Sequence, residues 1–442
     1  MRGITFAVLV AGLCAVTACG GESTPEESYR TLQVGESWNE SRPYPNRFAD
    51  FPVLQMTTQG VYNQGPTVHR ATAFTARPDE ILFASMRGGR SYLLTGNYRT
   101  GQLTNHFTGP RLEHYSPNRY REIFKTPLPQ YIEGLDIAAS RDVPLAVFIV
   151  KNENALRLID LNTDEVRVLM PPGRDPDRWL TSPVFADGGK SVVLPVFSIR
   201  CARNIPQWKR PRNPISYIRC DLNGQESQLY ASEWGQTHVF QHPTRPELRV
   251  VKEGRPAFCY PKGAERDAAY RRPDMFLLNT RTGSRTPILP RNAYKQISHL
   301  QWNGRGDRIV YHGSAEGGGN FIGVMDLQLN VIWEHVFADW SFERNGSNHV
   351  IADPAGDYIF DDGLAIPGRI SALDYRNSGA DGAPRIVELV DWSNDWKGQP
   401  DQASHPHPAV SPDGKTLIFY GCREGKTNVY CVDISKLRTG TE

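Results

Sequence analysis

The sequence predicts an all-β fold, a seven-bladed β-propeller, from three observations. A turn-and-strand core, polar at the turn and rich in apolar and β-branched residues after it, recurs at spacings of roughly 40 to 60 residues, the range of propeller blades. Seven copies are present: residues 76–83 (ARPDEILF), 140–148 (SRDVPLAVF), 186–193 (ADGGKSVV), 244–251 (TRPELRVV), 304–311 (GRGDRIVY), 354–360 (PAGDYIF) and 411–419 (SPDGKTLIF). A further strand follows several of them, as in residues 155–161, 274–279 and 428–433, and long amphipathic helical patterns are nearly absent. A β-sandwich array or a β-helix would need a different period.

Taken in order, the first segment stands apart from the repeats. Arg2 precedes an apolar run over residues 4–16 without an acidic residue, the pattern of an export signal. It ends in Val16, Thr17, Ala18, Cys19 and Gly20, which resembles a bacterial lipobox. That resemblance implies cleavage before Cys19, lipid on its thiol, and an exported protein anchored at the outer membrane or facing the periplasm. Residues 20–47 are polar and rich in Ser, Glu and Pro, the composition of a tether. The expected organisation is a signal over residues 1–18, a tether over 19–55 and the propeller over 56–436. Past the signal no apolar run is long enough to span a bilayer.

Hydrophobic residues make up 39% and charged residues 22%, enough apolar material for a large core. The formal net charge of +2 gives no reason to expect nucleic acid as a partner. The membrane enters only through the anchor, and the expected state is a monomer. Of seven cysteines, Cys14 leaves with the signal and Cys19 carries lipid. Export permits disulfides. Cys422 and Cys431 flank a hairpin turn and could face each other; Cys201 and Cys220 bracket a Pro/Arg-rich excursion; Cys259 is left over. Free buried thiols are the alternative for each pair.

The histidines carry the functional signal. His299, His349 and His407 each lie seven residues before a turn glycine, Gly306, Gly356 and Gly414. They therefore hold one equivalent position in three consecutive blades, on the first strand, which lines the channel. His405 stands two residues before His407, on the same face of an extended strand, with Gln402 just upstream. His69 and His238 sit near the starts of the first and fourth blades, more loosely aligned. Imidazoles converging on one end of one channel point to a metal or catalytic centre. The glycines at 317–319 read as a flexible loop, because no P-loop lysine and helix follow them.

The run Gln402-x-x-His405-Pro-His407-Pro, followed by Ser411, Pro412 and Asp413, resembles the metal motif of oligogalacturonate lyases. The resemblance covers most of the chain past residue 56, including a long insertion near residues 205–215. It implies a seven-bladed propeller enzyme with Mn²⁺ held by His349, Gln402, His405 and His407, and His299 as general base. The family's carboxylate-binding arginine precedes a Met-aromatic-Leu strand. Here Asp274 stands directly before Met275, with Arg271 and Arg272 offset. A family histidine is replaced by Lys252 in residues 251–256, and the export signal also departs from the family's cytoplasmic habit. Arg271, Arg272, Lys252, Arg255 and His238 are the candidates for holding a substrate carboxylate.

The implied chemistry is β-elimination on a uronate-containing oligosaccharide, an acidic partner, giving a 4,5-unsaturated product. The C5 hydrogen is α to a carboxylate and weakly acidic. A cation on that carboxylate offsets the developing charge, and a neutral histidine takes the proton. Three imidazoles and an amide suit Mn²⁺ and also admit Zn²⁺, Ni²⁺ or Fe²⁺. The competing readings are a non-catalytic propeller that binds carbohydrate or protein, and a hydrolase using the same centre, since propellers host many functions.

Overall fold

The computed structural model describes residues 31–60, 62–65, 73–111, 135–150, 153–172, 178–198, 215–232, 236–245, 247–253, 274–291, 294–340, 349–354, 356–392, 406–423 and 426–439. Their strands form seven antiparallel sheets, one for each repeat read in the sequence. Blade 5 shows the plan: Tyr294–Trp302, Arg308–Ala315, Asn320–Asp326 and Val331–Phe337 pair in chain order from the inside outwards. Blades 2, 4 and 6 repeat it, and in blade 3 two short strands, Arg178–Leu180 and Val184–Ala186, share the inner edge of Ser191–Ser198.

The ring closes with strands from both ends of the chain. In blade 7, Ala409–Val410, Thr416–Arg423 and Lys426–Asp433 are followed by Val53–Gln55 and Arg42–Tyr44. Leu54 pairs with Cys431 and Val53 with Val432. Ser37–Asn39 adds a fifth strand to the outside of blade 1. The tether expected to run to residue 55 is thereby corrected: from Ser37 onwards the chain belongs to two blades. Two buried groups fix this junction. Arg87 and Glu40 form a bidentate ion pair at 2.9 and 3.1 Å, and Asn63 donates to the carbonyl of Thr427 at 2.9 Å.

The core explains the sequence pattern. Its buried residues fall into seven clusters, one between each blade and the next, the last joining blade 7 to blade 1. A second strand such as Glu80–Arg87 is therefore buried on both faces beyond its first residue. That is why the repeats read as continuous apolar runs rather than strict alternation.

The turn glycines are structurally equivalent. Gly306, Gly356 and Gly414 have φ of 74°, 77° and 70°, and each donates its N–H to the carbonyl three residues earlier, at 2.9, 2.9 and 2.8 Å. At Gly306 a Cβ would also lie 2.3 Å from the His242 ring, so both the left-handed backbone and the close approach require glycine.

The cysteine expectations divide. The hairpin between Thr416–Arg423 and Lys426–Asp433 has a two-residue turn, which sets Cys422 opposite Thr427 and Cys431 opposite Ile418. The proposed cross-strand bridge is corrected: Cys431 is a buried free thiol with its Sγ 3.0 Å from Met56 Sδ. Cys201 and Cys259 lie outside the described residues, as do Cys14 and Cys19. Among the described residues no helix is long and apolar enough to cross a membrane.

Candidate functional site

Strand register brings the histidines together. In blade 5, His299 lies directly opposite His312, next to a bulge between Ile297 and His299. In blade 6, Val350 pairs with Asp361 and the Asp362 N–H donates to the His349 carbonyl, which sets His349 opposite Asp362. In blade 7, Ala409 pairs with Ile418 and Tyr420 donates to the Pro406 carbonyl, which sets His407 at the level of Tyr420. In blade 4, His238 pairs with Lys252. The looser alignment expected for His238 is corrected at the level of backbone. It occupies the same register position as the other three, four residues before the strand-closing His242 as His299 is before Asn303; the offset comes from the turn, which runs from His242 to Leu248, one residue longer than that from Asn303 to Arg308.

The rings of three of these histidines form a column. His299 and His349 are stacked with centroids 5.3 Å apart, and His349 and His407 are 4.3 Å apart. His349 and His407 are buried, and His299 is partly exposed. His407 sits between Pro406 and Pro408 with φ of +45°, a left-handed backbone that costs a non-glycine residue about 1–3 kcal/mol. Backbone strain of this kind at a non-glycine residue clusters at functional sites.

The second strand supplies what orients these rings. Asp362, fully buried, accepts from the His349 backbone N–H at 2.7 Å and meets His349 Nδ1 at 3.0 Å. A carboxylate acceptor at Nδ1 puts the proton there and leaves the Nε2 lone pair as the donor nitrogen. His299 uses the same atom: its Nδ1 is 2.6 Å from His312 Nε2.

Burial dominates the electrostatics of the groups around the column. Burial holds the His312 imidazole well below its usual range, with the neighbouring His349 and Lys252 acting the same way and Asp362 opposing. Burial also lowers the Lys252 ammonium to about 8, and its Nζ donates to the Ser298 carbonyl at 2.7 Å. Asp361 is pushed up to about 7 by burial, although the N–H groups of Gly363, Leu364 and Ala365 all donate to it.

His312 and Asp362 were not singled out from the sequence. The signal was available: each lies six residues after its turn glycine, as Tyr420 does after Gly414, so the ruler that located the histidines locates their partners when run forwards. Gln402, His405, His69, Arg255, Arg271 and Arg272 lie outside the described residues, and for His238 only the strand register is described.

Among the described residues no cluster of three or more His, Cys, Asp or Glu side chains is arranged to hold a metal. The two expected ligands that are described nevertheless suit one in their chemistry. His349 has the carboxylate-backed Nδ1 typical of metal-bound imidazoles, and the His407 ring lies against it.

No protein-family model matches the chain, and no curated protein matches its sequence. Solved structures do match in fold. An oligogalacturonate lyase in complex with manganese superposes with a TM-score of 0.68 at 16% identity, covering 92% of this chain and 99% of that one. An oligogalacturonate lyase from Vibrio parahaemolyticus superposes with a TM-score of 0.69, also at 16% identity, covering 92% and 100%. The chain thus shares its whole propeller architecture with these two proteins.

Proposed function

We propose that the chain is a metal-dependent lyase that cleaves uronate-containing, oligogalacturonate-like oligosaccharides by β-elimination. The observation that carries this reading is the column of His299, His349 and His407, in which His349 and His299 both turn Nδ1 to the second strand. In this reading their Nε2 atoms do the chemistry. The fold shared with two oligogalacturonate lyases supports the same reading.

In this reading His349, His407, Gln402 and His405 hold the ion, with Mn²⁺ as the first candidate. When bound, a divalent cation draws charge from the substrate carboxylate and so acidifies the C5 hydrogen. His349 contributes a nitrogen made more electron-rich by Asp362. His299 accepts the C5 proton at Nε2, and its partly exposed ring is the one of the three open to substrate. The electron pair of the broken C5–H bond forms the C4=C5 double bond, and the C4–O bond breaks. The departing oxygen becomes a hydroxyl on the neighbouring sugar once it takes a proton. Close burial of His349 and His407 keeps competing water from the centre.

The test is a screen of acidic oligosaccharides, oligogalacturonates first, with Mn²⁺ supplied. Elimination gives a conjugated product that absorbs in the ultraviolet, together with a new reducing end. A new reducing end without absorbance means hydrolysis. Metal bound with no turnover of any uronate means a binding propeller, and either of these two results overturns the lyase reading.

A further inference from the structure

We infer that His312 is a positioning residue for His299: its Nε2 accepts the Nδ1 proton of His299 and so presents the Nε2 lone pair of His299 to substrate. The inference deepens the lyase reading and rests on it for the role of His299. Three observations carry it. The two histidines are direct cross-strand partners, so the backbone ladder itself sets their separation. The Nδ1 to Nε2 distance is 2.6 Å, and His312 is fully buried beneath the ring it touches. The next blade repeats the device on the same atom, with His349 Nδ1 against Asp362 at the equivalent second-strand position.

The two partners differ in one respect that divides the roles. Asp362 is an anion. It accepts a proton and also adds negative charge, which suits a nitrogen meant to hold a cation. His312 is uncharged in its buried place, and with its own proton on Nδ1 it offers the Nε2 lone pair to His299. A neutral acceptor fixes the tautomer of His299 without stabilising its protonated form as a carboxylate would. The imidazole can then take a proton from carbon and release it again. On proton transfer the C5–H bond breaks, its proton binds His299 Nε2, and the Nδ1–H remains donated to His312; no further reactant is needed.

The experiment uses the full chain loaded with Zn²⁺, which avoids paramagnetic broadening, and labelled with ¹⁵N-histidine. The imidazole nitrogen shifts of His299, assigned with His299→Ala, report which nitrogen carries the proton. Wild type is expected to show the Nδ1–H form. His312→Phe, which keeps ring volume and removes the acceptor, is expected to shift His299 towards a mixture of tautomers. His312→Gln, whose amide oxygen can accept, is expected to restore much of the Nδ1–H form. With Mn²⁺ and oligogalacturonate, His312→Phe should lower kcat by about 10²-fold with KM nearly unchanged. An Nε2–H form in wild type overturns the inference, because His312 would then be the donor and His299 would have no lone pair at Nε2 to accept a proton. So does a His299 tautomer that His312→Phe leaves unmoved. Both readouts are independent of turnover, so a chain that proves not to be a lyase does not obscure the answer.

Discussion

Asp362→Asn isolates the orientation of His349 from its presence. The carboxylate uses one oxygen for the His349 backbone N–H at 2.7 Å and the other for Nδ1 at 3.0 Å. Asparagine is nearly the same size but has only one acceptor oxygen. If that oxygen keeps the backbone bond, the amide NH₂ faces Nδ1, donor against donor. Relief comes when the imidazole moves its proton to Nε2, the nitrogen assigned to the ion. Loss of such a supporting partner typically costs 10- to 100-fold in metal affinity. At 1.36 kcal/mol per factor of ten, this is about 1.4–2.7 kcal/mol. Calorimetric titration of metal-free protein with Mn²⁺ should therefore show the dissociation constant raised by about 10- to 100-fold, with one site retained. His349→Ala should be worse, because it removes the nitrogen altogether. Thermal melts of the metal-free proteins separate this from unfolding. A folded Asp362→Asn variant that binds Mn²⁺ as tightly as wild type would refute the reasoning, and His349 would have to be read as a channel-wall residue.

Three other outcomes are expected. His299→Ala should retain full metal occupancy but lose about 10² to 10⁴ in kcat with little change in KM, checked by elemental analysis and initial rates; loss of metal would make His299 a ligand instead. Asp361, raised from 3.8 to about 7 by burial, stays protonated in the folded chain where the unfolded carboxyl has ionised. The folded state then binds the extra proton, so stability should fall as pH rises from about 4 through 7, and Asp361→Asn should flatten that slope in melts taken across this window. Cys19→Ser should release the protein from the membrane fraction or leave the precursor unprocessed; a wild type found unlipidated by intact mass contradicts the anchor.

The fold was legible because each blade announces itself through a short turn whose backbone needs particular residues. Gly306, Gly356 and Gly414 are glycines for steric reasons, and anything at a fixed distance from them on a paired strand must share a register. That made His299, His349 and His407 readable. His312 and Asp362 escaped because each follows a short apolar run in the sequence, where a polar residue looks like the onset of a loop. The closing strands escaped for a related reason. Ser37–Asn39 and Arg42–Tyr44 lie at the rim of their sheets and are mostly exposed or half-buried, so their composition is that of a tether. The bridge between Cys422 and Cys431 failed on register, since a hairpin pairs residues by the length of its turn rather than by their symmetry about a charged run.

The closure strand has a consequence for when the site comes into being. His407 belongs to the blade whose sheet is completed by Val53–Gln55, from the opposite end of the chain. Thr57 and Asn428, whose side chains meet at 3.2 Å, are 371 positions apart in the sequence. Contacts of that span are paid for last in folding, after the local hairpins have formed. Until they form, blade 6 can carry His349 in place with nothing opposite it to hold His407 against its ring. A ligand gripping both histidines would act as a clasp on the seam between the last two blades, and its affinity would be a gauge of how completely the ring had closed.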